Sequence, residues 1–253
     1  MKYYICTVPA AAIRKKASHK TEMTNQLLFG ETMELKKKKK GWFRIRSVPD
    51  QYEGWIRSNQ VELVNEQVVH DNSWVATDLF NTVTIDENKM YIPIGSSLPG
   101  YNEHNGIIGN RKYRSTGNCF SRNTIKPDEH LIQRLTQPWL NAPYLWGGRT
   151  PLGVDCSGFV QVIYKMMGID LKRDAWQQAK QGKRVKDLND AKCGDLAFFN
   201  DEEEIVHVGI LLSNSVIIHA SGKVRIDKIN KNGIKNSDTG KRSHRLKSIR
   251  RFW

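Results

Sequence analysis

Cys156 closes a Gly-rich loop and opens a helix-like run in the segment YLWGGRTPLGVDCSGFVQVIYKMMG. Phe159, Val160, Ile163 and Met167 recur at the spacing of one helical face. Asp155 is of the type that caps helix N-termini, so Cys156 falls in the first turn. Outward-pointing N–H groups and the positive end of the helix dipole lie there, and both favour a thiolate, the nucleophilic form of cysteine. A cysteine at such a position reads equally well as a small buried core residue. The chemistry therefore needs partners.

Two histidines downstream supply them. GDLAFFN (194–200) and VHVGILLSNSVIIHASG (206–222) are apolar, β-branched runs, and the second reads as two strands joined by a short turn. A three-residue loop at Leu212–Asn214 sets residue 211 opposite 215 and His207 opposite His219. Opposed residues share a sheet face with Cβ atoms roughly 5 Å apart. One imidazole can take the thiol proton while the other orients it and supports its charge. A two-residue loop shifts the register and breaks that geometry. Spacing alone reaches a Cys–His nucleophilic enzyme and stops there.

The rest of the chain must position these groups. Its 253 residues leave room for two or three small domains. Cys6, Cys119, Cys156 and Cys193 are scattered without a C-x-x-C, which speaks against a structural zinc site or a disulfide framework; Cys193 reads as a core or rim residue. The net charge of +14 is concentrated in Lys36–Lys40, at an expected hairpin tip, and in the tail from Lys223 to Arg251. No nucleic-acid fold motif or interleaved stacking aromatics accompany it, so a nucleic-acid partner is not expected. A basic surface does suit an anionic ligand. No run reaches the ~18 apolar residues of a membrane span. The N-terminal MKYYICTVPAAAIRKK is interrupted by Pro9 and followed by basic residues, which reads as a strand and not as an export signal. The expected location is cytoplasmic, extracytoplasmic if an export signal lies outside this sequence.

Residues 1–66 carry short strand signals, among them YYICTV, TMELK, WFRIR and EGWIR, and five short strands at this spacing suggest a small barrel. Residues 67–125 look all-β again, with WVAT, TVTID and MYIPIGSSLPGY. Ser121–Glu129 reads as a linker and His130–Leu140 as the first helix of a domain spanning 126–253.

The blocks YLWGG (144–148), DCSGF (155–159), GDL (194–196), HVG (207–209) and HA (219–220) resemble, in order, those of the NlpC family, papain-like peptidases of the bacterial cell wall. The resemblance covers roughly residues 135–253 and implies an α+β papain-like domain, with the cysteine helix packed on an antiparallel sheet. It implies a triad of Cys156, His207 and His219, with Tyr144 beside an oxyanion hole that the Cys156 N–H helps to form. The implied reaction is acyl transfer through a thioester. The GWI block at 54–56 and the LFGE block at 28–31 resemble bacterial SH3-like domains, and 67–125 is expected to be a second one.

A two-barrel arrangement is similar to the branch comprising γ-D-glutamyl-L-diamino acid endopeptidases (dipeptidyl-peptidase VI), which act on free stem peptides with an unblocked N-terminal L-alanine. That likeness implies that Glu22 supplies a carboxylate for the α-amine with Tyr52 beside it. It also implies that Asp155 and Ser157 complete the amine and backbone contacts, and that Trp146 forms a wall. Ala175 and Trp176 depart from the family pattern, where a small hydroxyl residue often stands in R-D-x-x-Q-Q; Arg173 and Gln177 read as structural. No metal or other cofactor is expected, and the chain is expected to be a monomer acting on peptidoglycan-derived peptides. Two other readings stand beside this one: a peptidoglycan-binding module with a silent catalytic domain, and a secreted hydrolase of intact wall.

Overall fold

The structure is a computed structural model that describes residues 1–69, 71 and 73–253. Its contacts divide into two compact units: Met1–Ile125 with Trp146–Pro151, and Lys126–Leu145 with Leu152–Trp253.

The first unit begins with an antiparallel sheet ordered Met23–Leu28, Ala10–Arg14, Glu53–Arg57, Trp42–Ser47, Thr32–Lys39, Tyr3–Cys6, Val61–Val64. Period-two alternation turns Ala11, Ile13, Ile45 and Ile56 into a core shared with Leu27 and Met33. Seven strands form where the sequence pattern showed five. Ala10–Arg14, Met23–Leu28 and Val61–Val64 are alanine-rich, glutamine-containing or short, so their alternation is faint. The lysine run is also more regular than expected. Lys36 to Lys39 continue the strand Thr32–Lys39, and only Lys40 lies in the turn with Gly41.

Residues 67–125 contribute a four-stranded sheet, ordered Asn88–Pro93, Phe80–Ile85, Arg111–Thr116, Asn105–Ile108, and the pair Trp74–Ala76 with Cys119–Ser121. Ala76, Val83, Ile85, Ile92 and Ile108 pack in one cluster with Ile5, Phe29 and Val64 of the first sheet. Gly30 makes the approach possible: at φ +75°, a Cβ there would stand 2.1 Å from the Ser97 carbonyl oxygen.

In the second unit, Asp128 caps a helix at Glu129–Thr136 by accepting the Leu131 N–H at 2.7 Å. Its sheet runs Lys183–Val185, Arg242–Arg251, Leu196–Asp201, Glu204–Leu211, Val216–Ser221, Lys223–Asn230, Gly233–Lys235. Gly233–Lys235 also pairs back onto Arg242–Arg251. Six strands of the expected antiparallel sheet thus close into a barrel. Ala197, Phe199, Leu211, Ile217, Ile229, Ile234 and Ile249 form one of its hydrophobic clusters. The helix Cys156–Met166 packs against Glu204–Leu211 and Val216–Ser221 and is buried on every side, not along one face only. Phe159 meets Trp139 edge-on, and Tyr164 meets Phe252 and Trp253. Burial of each such side chain stabilises the fold by about 1.5–3 kcal/mol.

Candidate active site

The start of the Cys156 helix is held by a buried polar cluster. Asp155 accepts the Gly158 N–H at 2.7 Å, the expected N-cap. Both of its oxygens also take Arg173, from Nη1 at 3.0 Å and Nη2 at 2.5 Å, and Nη1 reaches Ser157 Oγ at 2.8 Å. Gln178 Nε2 donates to the carbonyls of Ser157 and Lys172, tying the R-D-A-W-Q-Q segment to the same place. Gln177 closes a capping box with Asp174. Asp155 and Ser157 are thus structural partners of Arg173, whatever else they contact.

The thiol itself is buried, with Cys156 only 5% exposed. The backbone N–H groups of Val208 and Ser157 point at its sulfur and favour the thiolate. Burial and the Asp155 carboxylate outweigh them, together with Arg173, and push the thiol up to about 12. This reverses the expectation from the helix dipole alone. At rest Cys156 carries a neutral thiol. It sits against the backbone of Val208, the residue after His207.

The hairpin differs from its expected register by two residues. Leu211 pairs with Ile217, not 215, because Leu212 and Ser213 both donate backbone N–H groups to the Val216 carbonyl and lengthen the loop. A shift of two keeps facing parity, so His207 and His219 share a face as diagonal neighbours. Their rings meet at 2.8 Å, His207 Nε2 to His219 Nδ1. Gly209 permits this, since a Cβ on it would lie 2.8 Å from the His219 Cβ.

Asp227, on the next strand, fixes the protons. Its carboxylate is held well below the usual range, against the cost of burial, by bonds from His219, Arg225 and the Ser237 N–H. His219 Nε2 lies 3.0 Å from Asp227 Oδ2, so that nitrogen carries a proton, and with Nε2 as its only protonated nitrogen the ring accepts at Nδ1. His207 must then donate from Nε2, which leaves its Nδ1 with a lone pair and no hydrogen bond to the described residues. Arg225 clamps Asp227 through Nε at 2.8 Å and Nη2 at 3.0 Å. His244 stacks on His207 with ring centroids 4.1 Å apart. Burial, with the nearby His219 and His244, pushes His207 well down; burial first and then His219 push His244 down to about 4. The Cys156 thiol and the His207 imidazole are both neutral at rest. A neutral pair of this kind can exchange a proton when a carbonyl arrives.

The remaining expected residues fall in both units. Tyr144, in the second, is half-exposed, and burial followed by the charges of Cys156 and Asp155 raises its phenol. Glu22 and Trp146 meet in the first, Trp146 Nε1 donating to Glu22 Oε1 at 2.8 Å, while Lys15 stands 3.6 Å from the other oxygen. Tyr52 is half-buried against the core of the first sheet. Asp227, Arg225 and His244 escaped the sequence reading because they lie in a stretch that looks like a solvated basic tail. The usable signal was an aspartate breaking that run two positions past Arg225, the strand partner of His219. Glu31 and Arg149 were missed as well; both are buried in the first unit and joined by two bonds of 2.7 and 2.9 Å.

The NlpC/P60 family model matches residues 141–243, and the bacterial dipeptidyl-peptidase SH3 domain matches residues 13–61. The chain is 32% identical over 212 residues to the gamma-D-glutamyl-L-lysine dipeptidyl-peptidase of Bacillus subtilis (strain 168), covering 77% of this chain and 71% of that protein. It is 39% identical over 84 residues to murein DD-endopeptidase MepS/murein LD-carboxypeptidase of Escherichia coli (strain K12), over 33% of this chain and 44% of that protein. Its fold matches that of an NlpC/P60 family protein from Bacillus cereus ATCC 10987 with a TM-score of 0.84 at 19% identity, over 98% of this chain and 99% of that one. The chain belongs to the NlpC/P60 family, whose peptidases are cysteine peptidases.

Proposed function

We propose that the chain hydrolyses the γ-D-glutamyl–diamino acid bond of peptidoglycan stem peptides that carry a free N-terminal L-alanine. The observation that supports the chemistry is the chain of hydrogen bonds from Asp227 through His219 to His207, ending at an open Nδ1 on the strand that borders the Cys156 sulfur. In the first step His207 Nδ1 takes the thiol proton as sulfur attacks the amide carbon. The Cys156 N–H, with Tyr144 beside it, receives the oxyanion. Collapse breaks the C–N bond, and the imidazolium returns the proton to the leaving amine. Water then attacks the thioester, His207 accepts its proton, and cleavage of the C–S bond restores the thiol.

Substrate choice rests on likeness. The Bacillus subtilis relative is named for γ-D-glutamyl-L-lysine, and residues 13–61 of this chain match the bacterial dipeptidyl-peptidase SH3 domain. In this reading the Glu22 carboxylate pairs with the α-ammonium, Tyr52 and Trp146 border it, and Asp155 and Ser157 present the helix start to the peptide backbone. A second SH3-like domain in 67–125 and a cytoplasmic role in recycling released fragments belong to the same proposal.

The test is digestion of L-Ala-γ-D-Glu-diamino acid peptides beside N-acylated copies, read by mass spectrometry. Cleavage of the free peptides alone, lost in Cys156→Ala, is the expected result. Equal cleavage of both sets removes amine recognition, and activity retained in Cys156→Ala removes the nucleophile.

A further inference from the structure

His207 and His244 reach one another from strands that are not neighbours. Glu204–Leu211 and Arg242–Arg251 lie on either side of Leu196–Asp201, so about 10 Å separates their backbones. Opposed residues share a sheet face, and His207 and Leu246 are both opposed to Phe199. His244, two residues before Leu246, is itself opposed to Ile234. Both histidines therefore face the side that carries the Phe199 and Ile234 cluster. The ladder slips on each flank of Phe199, skipping Val206 on one strand and Lys247 on the other. Bulges of this kind re-aim side chains. Here the result is a face-to-face stack, with ring centroids 4.1 Å apart and planes 23° from parallel. Ser243, skipped in turn where Gly233–Lys235 pairs with this strand, brings its Oγ to 2.8 Å from His244 Nδ1.

The contact supplies a constraint that the hydrogen bond alone does not. The bond from His207 Nε2 to His219 Nδ1 anchors one ring atom. The χ2 torsion of histidine has broad wells, so a ring anchored at one atom can still rock out of plane. A second ring laid flat against it removes that freedom. The bond selects which edge meets His219, and the stack sets the plane. Together they fix the direction of the Nδ1 lone pair. Burial, then His219, hold His244 down, to about 4, so an uncharged face meets the imidazolium that forms on His207.

We propose that His244 is a positioning residue for the base, its ring holding the His207 plane so that Nδ1 stays turned out to accept the thiol proton. The kinetic part of this inference rests on the peptidase reading above. Barrel closure gains a role here, because Gly233–Lys235 pins the strand that delivers His244.

Three variants test it. His244→Phe keeps a flat ring, His244→Leu keeps bulk without a face, and His244→Ala keeps neither. A ring pair of ordinary strength predicts kcat about tenfold lower in the Leu and Ala variants, with KM little changed and most of the loss restored by Phe. Alkylation of Cys156 by iodoacetamide at neutral pH, followed by peptide mapping, reports thiol activation without a peptide substrate. It is expected to follow the same order. Imidazole 15N NMR is expected to show a single Nε2–H tautomer of His207 in the unmodified and Phe proteins, and averaged signals in the other two. A Leu variant that matches Phe in alkylation and NMR shows that His244 only fills space, and overturns the inference. An Ala variant with a lowered urea midpoint but unchanged alkylation overturns it as well. Cleavage of no stem peptide by the unmodified protein removes the peptidase reading, and alkylation and NMR still decide His244.

Discussion

Asp155 and Glu22 are both carboxylates expected to meet a substrate amine, yet the fold treats them in opposite ways. Asp155 is 4% exposed and engaged by a cap N–H and both Arg173 nitrogens. The Glu22 side chain is 43% exposed and shares its oxygens between an indole N–H and a lysine. A buried carboxylate spends its acceptor capacity on the protein, and removing its partner leaves an uncompensated charge. An exposed one can exchange partners at little cost. Positioning and recognition therefore fall to different acids.

The largest effect expected from this contrast is on stability. Arg173→Ala leaves Asp155 buried without its cation and is expected to cost about 3–5 kcal/mol, read as a lowered urea midpoint. A shift near zero would place Asp155 in the same class as Glu22. Asp227→Asn comes next. The amide cannot hold the His219 proton on Nε2 as the carboxylate does, so kcat is expected to fall about 100-fold with KM little changed, the lower end of the usual worth of general-base catalysis. Unchanged kcat would show that the tautomer chain is set elsewhere. Glu22→Gln should leave stability within about 0.5 kcal/mol, as for most surface changes. Its expected signature is a raised KM for free-amine peptides, with discrimination against acylated ones lost. Preserved discrimination would move amine binding to another group.

The helix start at Cys156 and the shared face of His207 and His219 were legible in the sequence because capping, helical periodicity and strand parity are local properties. Parity survived even though the register slipped by two, since a slip of two returns each side chain to the same face. The loop length behind that slip depends on two N–H groups converging on the Val216 carbonyl, which no composition rule reads. Barrel closure was hidden for a similar reason. Gly233–Lys235 is a three-residue strand between polar turns, and it becomes a strand only because Arg242–Arg251 lies beside it. The Cys156 thiol was misjudged because a helix start is visible in sequence, whereas the depth at which it is buried is a tertiary property.

The proton path finally depends on something as small as the bare α-carbon of Gly209. With the His219 Cβ only 2.8 Å from where a methyl group would stand, alanine at that position would wedge the two imidazoles apart with no reactive side chain deleted. A substitution that removes no polar atom thus reaches the His207–His219 contact directly.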